Sequence, residues 1–312
     1  MTQIKPLEGM ETPRFADIAT FFRLPVIKDL NKLDYCICGV PWDGGTTNRP
    51  GARHGPREIR NSSSLVRLYH PTSLKSPYDT FNVADIGDCP VNPADLQDSL
   101  KKIETFYCEI VKSKTIPISI GGDHLVSLPV LRALAKNKPV GLFQFDSHTD
   151  TYDSYFGGFK YTHGTPFRRA IEENLIDPKK YVMLGIRGSL YHPDDLNWAK
   201  DQGVTIITID DYHEMGFNKV IDKIYNVLGD IPTYLTFDID GIDCTYAPGT
   251  GTPEVGGFTV RESQTIIRAL NKISFIGADV VEVSPPFDIN NMTSHIGATI
   301  AFEILCTMTR TN

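Results

Sequence analysis

The chain has 312 residues and a formal net charge of −7, and 41% of its residues are hydrophobic. That apolar content is enough for a sizeable core, and the acidic balance argues against nucleic acid or an anionic membrane as a partner. No run approaches the roughly 20 apolar residues of a membrane span, Met1 to Arg14 lacks a basic segment followed by an apolar one, and the six cysteines contain no C-x-x-C pair. A cytoplasmic protein with reduced thiols is expected.

Residues 1 to about 30 are punctuated by proline and carry no clear period. Phe15, Phe21, Phe22 and Leu24 suggest an arm packed on its own body or on a neighbouring subunit. Tyr35 to Val40 reads as the first strand, with Cys36 and Cys38 on one face as buried thiols. The Gly/Pro-rich loop from Pro41 to Pro56 follows; loops this long inside compact domains are usually functional. It fits neither G-x-G-x-x-G nor G-x-x-x-x-G-K-[ST], and Gly249-x-Gly251 fails the dinucleotide pattern because position 254 is Glu. Nucleotide binding is therefore set aside.

A helix is expected from Pro56 to about Leu68, a strand from Val83 to Asp88, and a helix from Pro93 to Lys112 with Leu96, Leu100, Ile103, Phe106, Tyr107 and Ile110 at helical spacing. Further strands are expected over Thr115 to Ile120, Val140 to Phe145, Tyr181 to Ile186, Val204 to Ile209, Tyr234 to Phe237 and Phe275 to Val281. Helices are expected over Ser127–Lys136, Thr165–Glu173, Asp195–Gln202, Phe217–Leu228 and Val260–Leu270. This alternation predicts an α/β fold with a mostly parallel sheet flanked by helices on both faces. The chemistry-bearing motifs run from about one third of the chain to its end and must meet in space. One domain over residues 1–312 is the expectation.

The strand Val140 to Phe145 ends in Asp146-Ser147-His148-Thr149-Asp150. Alternate residues of an extended segment share a face, so Asp146, His148 and Asp150 point together beyond the strand's C-terminal end, where open α/β sheets bind ligands. A lone Asp there is usually an Asx turn or a helix cap. Two carboxylates this close repel each other and are costly to bury unless a cation sits between them. Three other strands end alike: in Gly121-Gly122-Asp123-His124, in Asp238-Ile239-Asp240-Gly241-Ile242-Asp243, and in Glu282-Val283-Ser284-Pro285-Pro286. Neighbouring parallel strands lie about 4.8 Å apart, so these groups can converge. His124, Asp146, His148, Asp150, Asp238 and Asp240 can hold two divalent ions that share bridging carboxylates. With no cysteine among them, Mn²⁺ suits best, and Ni²⁺, Fe²⁺, Co²⁺ or Zn²⁺ follow.

These motifs, with His163-Gly164-Thr165-Pro166-Phe167, Ala247-Pro248-Gly249-Thr250-Gly251-Thr252-Pro253-Glu254 and Asp279-Val280-Val281-Glu282-Val283-Ser284-Pro285, resemble the ureohydrolases: arginase, agmatinase and the guanidino-acid hydrolases. The resemblance covers nearly the whole chain and implies a three-layer α/β/α fold with an eight-stranded sheet. It implies that His124, Asp146, Asp150 and Asp238 bind one metal and Asp146, His148, Asp238 and Asp240 the other. It implies that Glu282 grips a guanidinium in fork geometry, that Asp150 moves the proton of an attacking hydroxide, and that His163 helps protonate the departing amine. The products are then urea and an amine or ammonia. The family also implies a homo-oligomer, a trimer or a hexamer.

Two departures from the family pattern stand out. Ser147 replaces the common Ala and is expected to be harmless. Cys244 replaces the common Pro after Asp243 and is expected to tune the metals modestly. Trp42-Asp43-Gly44-Gly45-Thr46-Thr47-Asn48 and the His163 motif bring the chain closest to the guanidinopropionase and guanidinobutyrase branch. A short guanidino acid is the first expectation; agmatine and guanidine are the alternatives, with Ni²⁺ plausible for guanidine. For the substrate tail, Asn48 and His54 are candidates, and Tyr161, two residues before His163, is expected to project into the cleft and shorten it. Two further readings remain: a metal-binding scaffold without activity, and a one-zinc deacetylase. The intact set of six candidate ligands argues against the first, and His148, Asp240 and Glu282 against the second.

Overall fold

The computed structural model describes residues 3–310. Among them the strands are β1 (Tyr35–Val40), β2 (Val83–Asp88), β3 (Ile116–Gly121), β4 (Val140–Phe145), β5 (Ile176–Ile186), β6 (Thr205–Thr208), β7 (Thr233–Asp238) and β8 (Phe275–Val281). The helices are α1 (Gly55–Ser63), α2 (Leu96–Ser113), α3 (Ser127–Leu134), α4 (Pro166–Glu172), α5 (Asn197–Gln202), α6 (Ile209–Met215), α7 (Phe217–Leu228), α8 (Val260–Ala269) and α9 (Met292–Met308). The strands form one sheet in the order β2-β1-β3-β8-β7-β4-β5-β6, and every neighbouring pair is parallel.

The strands are near-continuous apolar runs because both faces of the sheet are covered. Alternation then sends neighbours to opposite cores. On β1, Tyr35 and Ile37 enter one apolar cluster, and Cys36, Cys38 and Val40 enter the other. On β4, Phe143 and Phe145 face the first, and Val140 and Leu142 the second. Phe145 stacks on Phe237 of β7, ring centroids 4.4 Å apart, which pins the two strands that carry the aspartates.

Two helices go beyond the expected elements. Thr208 caps α6 with a reciprocal pair, its side chain on Asp211 N and the Asp211 carboxylate on its own N–H. That capping box ends β6 one residue early and starts a helix where a strand was expected. The other is α9, which is buried on all sides and so lacks the polar stripe by which a surface helix is recognised.

The N-terminal arm docks on its own body. Phe21, Phe22 and Leu24 are buried in the first core, and Phe21 N donates to Asp85 Oδ2 at 3.0 Å. Phe15 remains 93% exposed, with Met10 and Ile18 beside it in sequence also exposed. Residues 1 and 2 of the expected arm lie outside the described residues.

Candidate metal centre

The four strands that carry candidate ligands, β3, β8, β7 and β4, are consecutive in the sheet. Their C-terminal ends meet on one edge. His124 Nδ1 lies 2.9 Å from Asp150 Oδ2, 3.1 Å from Asp238 Oδ2 and 3.2 Å from Asp146 Oδ2. On the far side of Asp146, its Oδ1 lies 3.8 Å from His148 Nδ1, which is 3.1 Å from Asp240 Oδ2. Asp146 thus offers one oxygen to each group. Asp238 reaches the first group with Oδ2, and its Oδ1 accepts the Asp240 N–H at 2.8 Å.

The donors fit divalent cations. With metal–ligand bonds of about 2.0–2.2 Å, adjacent corners of an octahedron stand roughly 2.8–3.1 Å apart, close to the His124–carboxylate distances. The proton arrangement agrees. The Thr236 hydroxyl donates to Asp279 Oδ1 at 2.6 Å, so at 2.7 Å it accepts from His124 Nε2. Nδ1 is then the lone-pair nitrogen of a neutral ring, buried, with no hydrogen-bond partner, facing three carboxylates. Lone pair against lone pair is stable only with a cation between them.

With protons in place of metal, the carboxylates dictate the titration. Burial pushes the Asp146 carboxyl up, and Asp150 and Asp240 add to it, bringing it to about 7. Burial pushes Asp238 up as well, reinforced by Asp240 and Asp146. Burial would lower the His124 and His148 imidazoles, but their carboxylate neighbours outweigh it and raise both. The site is built for positive charge.

Glu282 and Asp150 both adopt left-handed backbone, φ 64° and 51°, a cost that non-glycine residues carry mainly where function requires it. Glu282 Oε1 accepts the His124 N–H and His163 Nδ1–H, each at 2.8 Å. His163 Nε2 is met by Thr47 Oγ1 at 2.8 Å. Burial lowers the His163 imidazole, yet the Glu282 charge and hydrogen bond raise it to about 9. Thr47 N–H also points at Nε2, at 3.1 Å, which suits a lone pair there. Divalent cations nearby would lower the histidine, in keeping with a lone pair at Nε2.

These groups line a cleft of about 500 Å³, within the range of small-molecule sites. His148, Asp150, Asp238, His163 and Glu282 lie in its wall, with Asn48, Arg49, Tyr152, Tyr155, Tyr191, Thr252 and Glu254 around them. Two expected tail residues lie elsewhere. His54 is exposed at the end of the turn before α1. Tyr161 packs against the second core and does not line the cleft. The alternation that placed it beside His163 requires extended backbone, and residues 162–165 run in a bend and turn. Tyr155, paired with Phe159 in a short bridge, supplies the cleft's ring instead.

Ser147 is more than a small filler. Its hydroxyl donates to Asp240 Oδ1 at 2.6 Å, and His148 and this bond hold Asp240 low against the upward push of burial. The turn after Asp240 is closed by the Asp243 carboxylate, which accepts Thr245 N–H and Gly257 N–H, each at 2.9 Å. Cys244, only partly buried, takes no part in those bonds. Gln144 and Thr236, each two residues ahead of an aspartate of the cluster and so on its face, are not marked by any motif. Gln144 Nε2 donates to Asp146 Oδ2 at 2.7 Å.

Residues 33–307 match the arginase family. The chain is 53% identical over 302 residues to the guanidinopropionase of Pseudomonas aeruginosa, covering 97% of this chain and 95% of that one. It is 43% identical over 308 residues to the guanidinobutyrase of the same organism, covering 97% and 96%. The solved structure of proclavaminate amidino hydrolase from Streptomyces clavuligerus superposes with a TM-score of 0.92 at 37% identity, over 96% of this chain and all of that one. Fold, ligand order and full-length similarity agree: the chain belongs to the arginase family.

Proposed function

We propose that the protein is a binuclear-metal hydrolase that cleaves a short guanidino acid to urea and the corresponding amino acid, with 3-guanidinopropionate first and 4-guanidinobutyrate second. The observation that carries this reading is the pairing, across one cleft, of the two-lobed ligand cluster around Asp146 with the buried carboxylate of Glu282. The similarity to guanidinopropionase supports the choice of tail.

Mn²⁺ is proposed for both positions, with Ni²⁺ as the alternative, because the donors are imidazole and carboxylate with no thiolate. Bound there, the two ions supply a hydroxide nucleophile at neutral pH. His124, Asp146, Asp150 and Asp238 hold the first; Asp146, His148, Asp240 and Asp238 hold the second. Glu282 keeps Oε2 free for guanidinium N–H groups, and its anchored Oε1 fixes the orientation of the planar group. Asp150 takes the proton that the attacking hydroxide brings and passes it to the leaving nitrogen. His163, held between Glu282 and Thr47, takes up a proton from solvent at Nε2 and relays it to the departing amine. The substrate carboxylate lies outward, against Asn48, Arg49 and the Tyr155 hydroxyl. Glu254 in the same wall is the one observation that favours a cationic tail, as in agmatine.

A cytoplasmic home suits the free thiols of Cys36, Cys38, Cys89, Cys108 and Cys244. No helix among the described residues is long and apolar enough to cross a membrane. Assembly into a trimer or hexamer would cover Met10, Phe15 and Ile18 of the arm, which are otherwise exposed apolar surface.

The test is urea release by purified protein loaded separately with Mn²⁺ and Ni²⁺, on 3-guanidinopropionate, 4-guanidinobutyrate, agmatine, guanidine and arginine. The reading expects one guanidino acid to dominate by about 10²-fold, roughly 2.7 kcal/mol of transition-state discrimination. Dominance of agmatine or guanidine would replace the tail assignment. Two bound metals with no urea from any substrate would overturn the reaction class.

A further inference from the structure

Asp279 lies on β8, three residues before Glu282, fully buried. No cationic side chain pairs with it among the described residues. Its partners are three hydroxyls: Ser127 Oγ at 2.6 Å and Tyr234 OH at 2.8 Å on Oδ2, and Thr236 Oγ1 at 2.6 Å on Oδ1. A buried carboxylate held only by neutral donors is costly unless a positive charge lies close by. The nearest place built for one is the His124 group, reached through Thr236, whose β7 position faces Asp279 directly across the sheet.

We propose that Asp279 is a positioning residue for the first metal, acting through the Thr236 hydroxyl to set the tautomer of His124. The inference rests on the two-metal reading of the site. A hydroxyl has one proton. While Asp279 accepts it, Thr236 can only accept from His124 Nε2–H, and Nδ1 presents its lone pair to the ion shared with Asp146, Asp150 and Asp238. The hydroxyl thus carries the effect of a carboxylate one hydrogen bond further, as the outer partners of metal-bound histidines do.

Asp279→Asn tests this with little change of shape. Ser127 and Tyr234 both donate at Oδ2, so the amide oxygen takes that side and the NH₂ faces Thr236. Thr236 must then accept from the amide and turn its own proton toward His124 Nε2, which moves the ring proton to Nδ1, the metal-binding nitrogen. The second position, with His148 and Asp240, has no bond to this relay and serves as the internal control.

Mn²⁺ binding is measured by calorimetry and by electron paramagnetic resonance, whose spin-coupled signal reports a filled pair. The wild type is expected to bind two Mn²⁺ per chain. D279N is expected to weaken one of them by about 10–100-fold, to lose the coupled signal, and to keep the other. Thr236→Val, which removes the hydroxyl, is expected to do the same. Thr236→Ser, which keeps the hydroxyl, is expected to restore both sites. D279N with T236V is expected to be no worse than either alone, because both break one relay. Should D279N fail to fold, T236V and T236S decide the matter. Two Mn²⁺ bound with wild-type affinity in D279N, or in T236V, would overturn the proposal. A wild type that binds no metal would overturn the site reading beneath it.

Discussion

Glu282 spends both its backbone and its side chain on one position. Its φ is left-handed just past the end of β8, and its Oε1 is tied to the turn after β3 and to the His163 loop. The remaining oxygen is the only part free to meet substrate. Glu282→Gln keeps the shape but removes the charge proposed to grip a guanidinium. It is expected to lower kcat/KM by about 10²–10⁴-fold while both metals stay bound; urea release and metal analysis on one preparation check this. Unchanged kcat/KM would assign Glu282 to structure alone. The cleft's aromatic wall gives a second contrast. Tyr155→Ala is expected to shift the preference between the three- and four-carbon guanidino acids by about tenfold. Tyr161→Ala, acting on a ring packed against the second core, is expected to leave that ratio alone, and a shift there would restore it as the tail residue.

Arg187, just past β5, shows how much of the site is held by backbone. Its guanidinium donates to the carbonyls of Asp240 at 2.6 Å, Glu254 at 3.0 Å, Val255 at 3.1 Å and Gly241 at 3.2 Å, so one side chain clamps the ligand turn to the cleft wall. Arg187→Gln is expected to cost about 2 kcal/mol of stability and to weaken the second metal more than the first, because Asp240 sits in the clamped turn. Equal loss at both positions in a metal titration would show a general loosening instead. None of this was readable in the sequence, where Arg187 is one arginine in a loop. What could be read was whatever repeats with a period. All eight strands stood out as short apolar runs, and the aspartates and histidines stood out because extended backbone puts alternate residues on one face. The same rule misplaced Tyr161, where the chain is not extended. It also had nothing to say about α9, which is buried nearly all round and so shows no polar stripe. Thr236 and Gln144 obey the rule and were legible in principle, but hydroxyls and amides are too common to be noticed without the structure.

Removing the metals should make the whole fold sensitive to pH, and the sign follows from where protons are held. In the protein without metal, burial raises Asp146 from 3.8 to about 7 and Asp123 from 3.8 to about 8, and Glu282 overcomes burial to raise His163 from 6.5 to about 9. Each group binds its proton more tightly folded than unfolded. Its contribution is complete below the unfolded value and is lost as pH rises through the folded one. Asp240 is shifted the other way, so its contribution is already complete throughout that window. The metal-free protein should therefore lose stability steadily from about pH 5 to about pH 9. Metal binding has the opposite dependence, because its ligands must be deprotonated. At metal concentrations about a hundredfold above Kd, each ion adds roughly 2.7 kcal/mol, or about 4 °C in Tm for a chain of this length. The gap in Tm between metal-loaded and chelator-treated protein is expected to widen as pH rises. Paired thermal melts at about pH 6 and about pH 9 measure it. A gap that stays constant or narrows would mean that the cluster around Asp146 keeps its protons and is not where the metals bind.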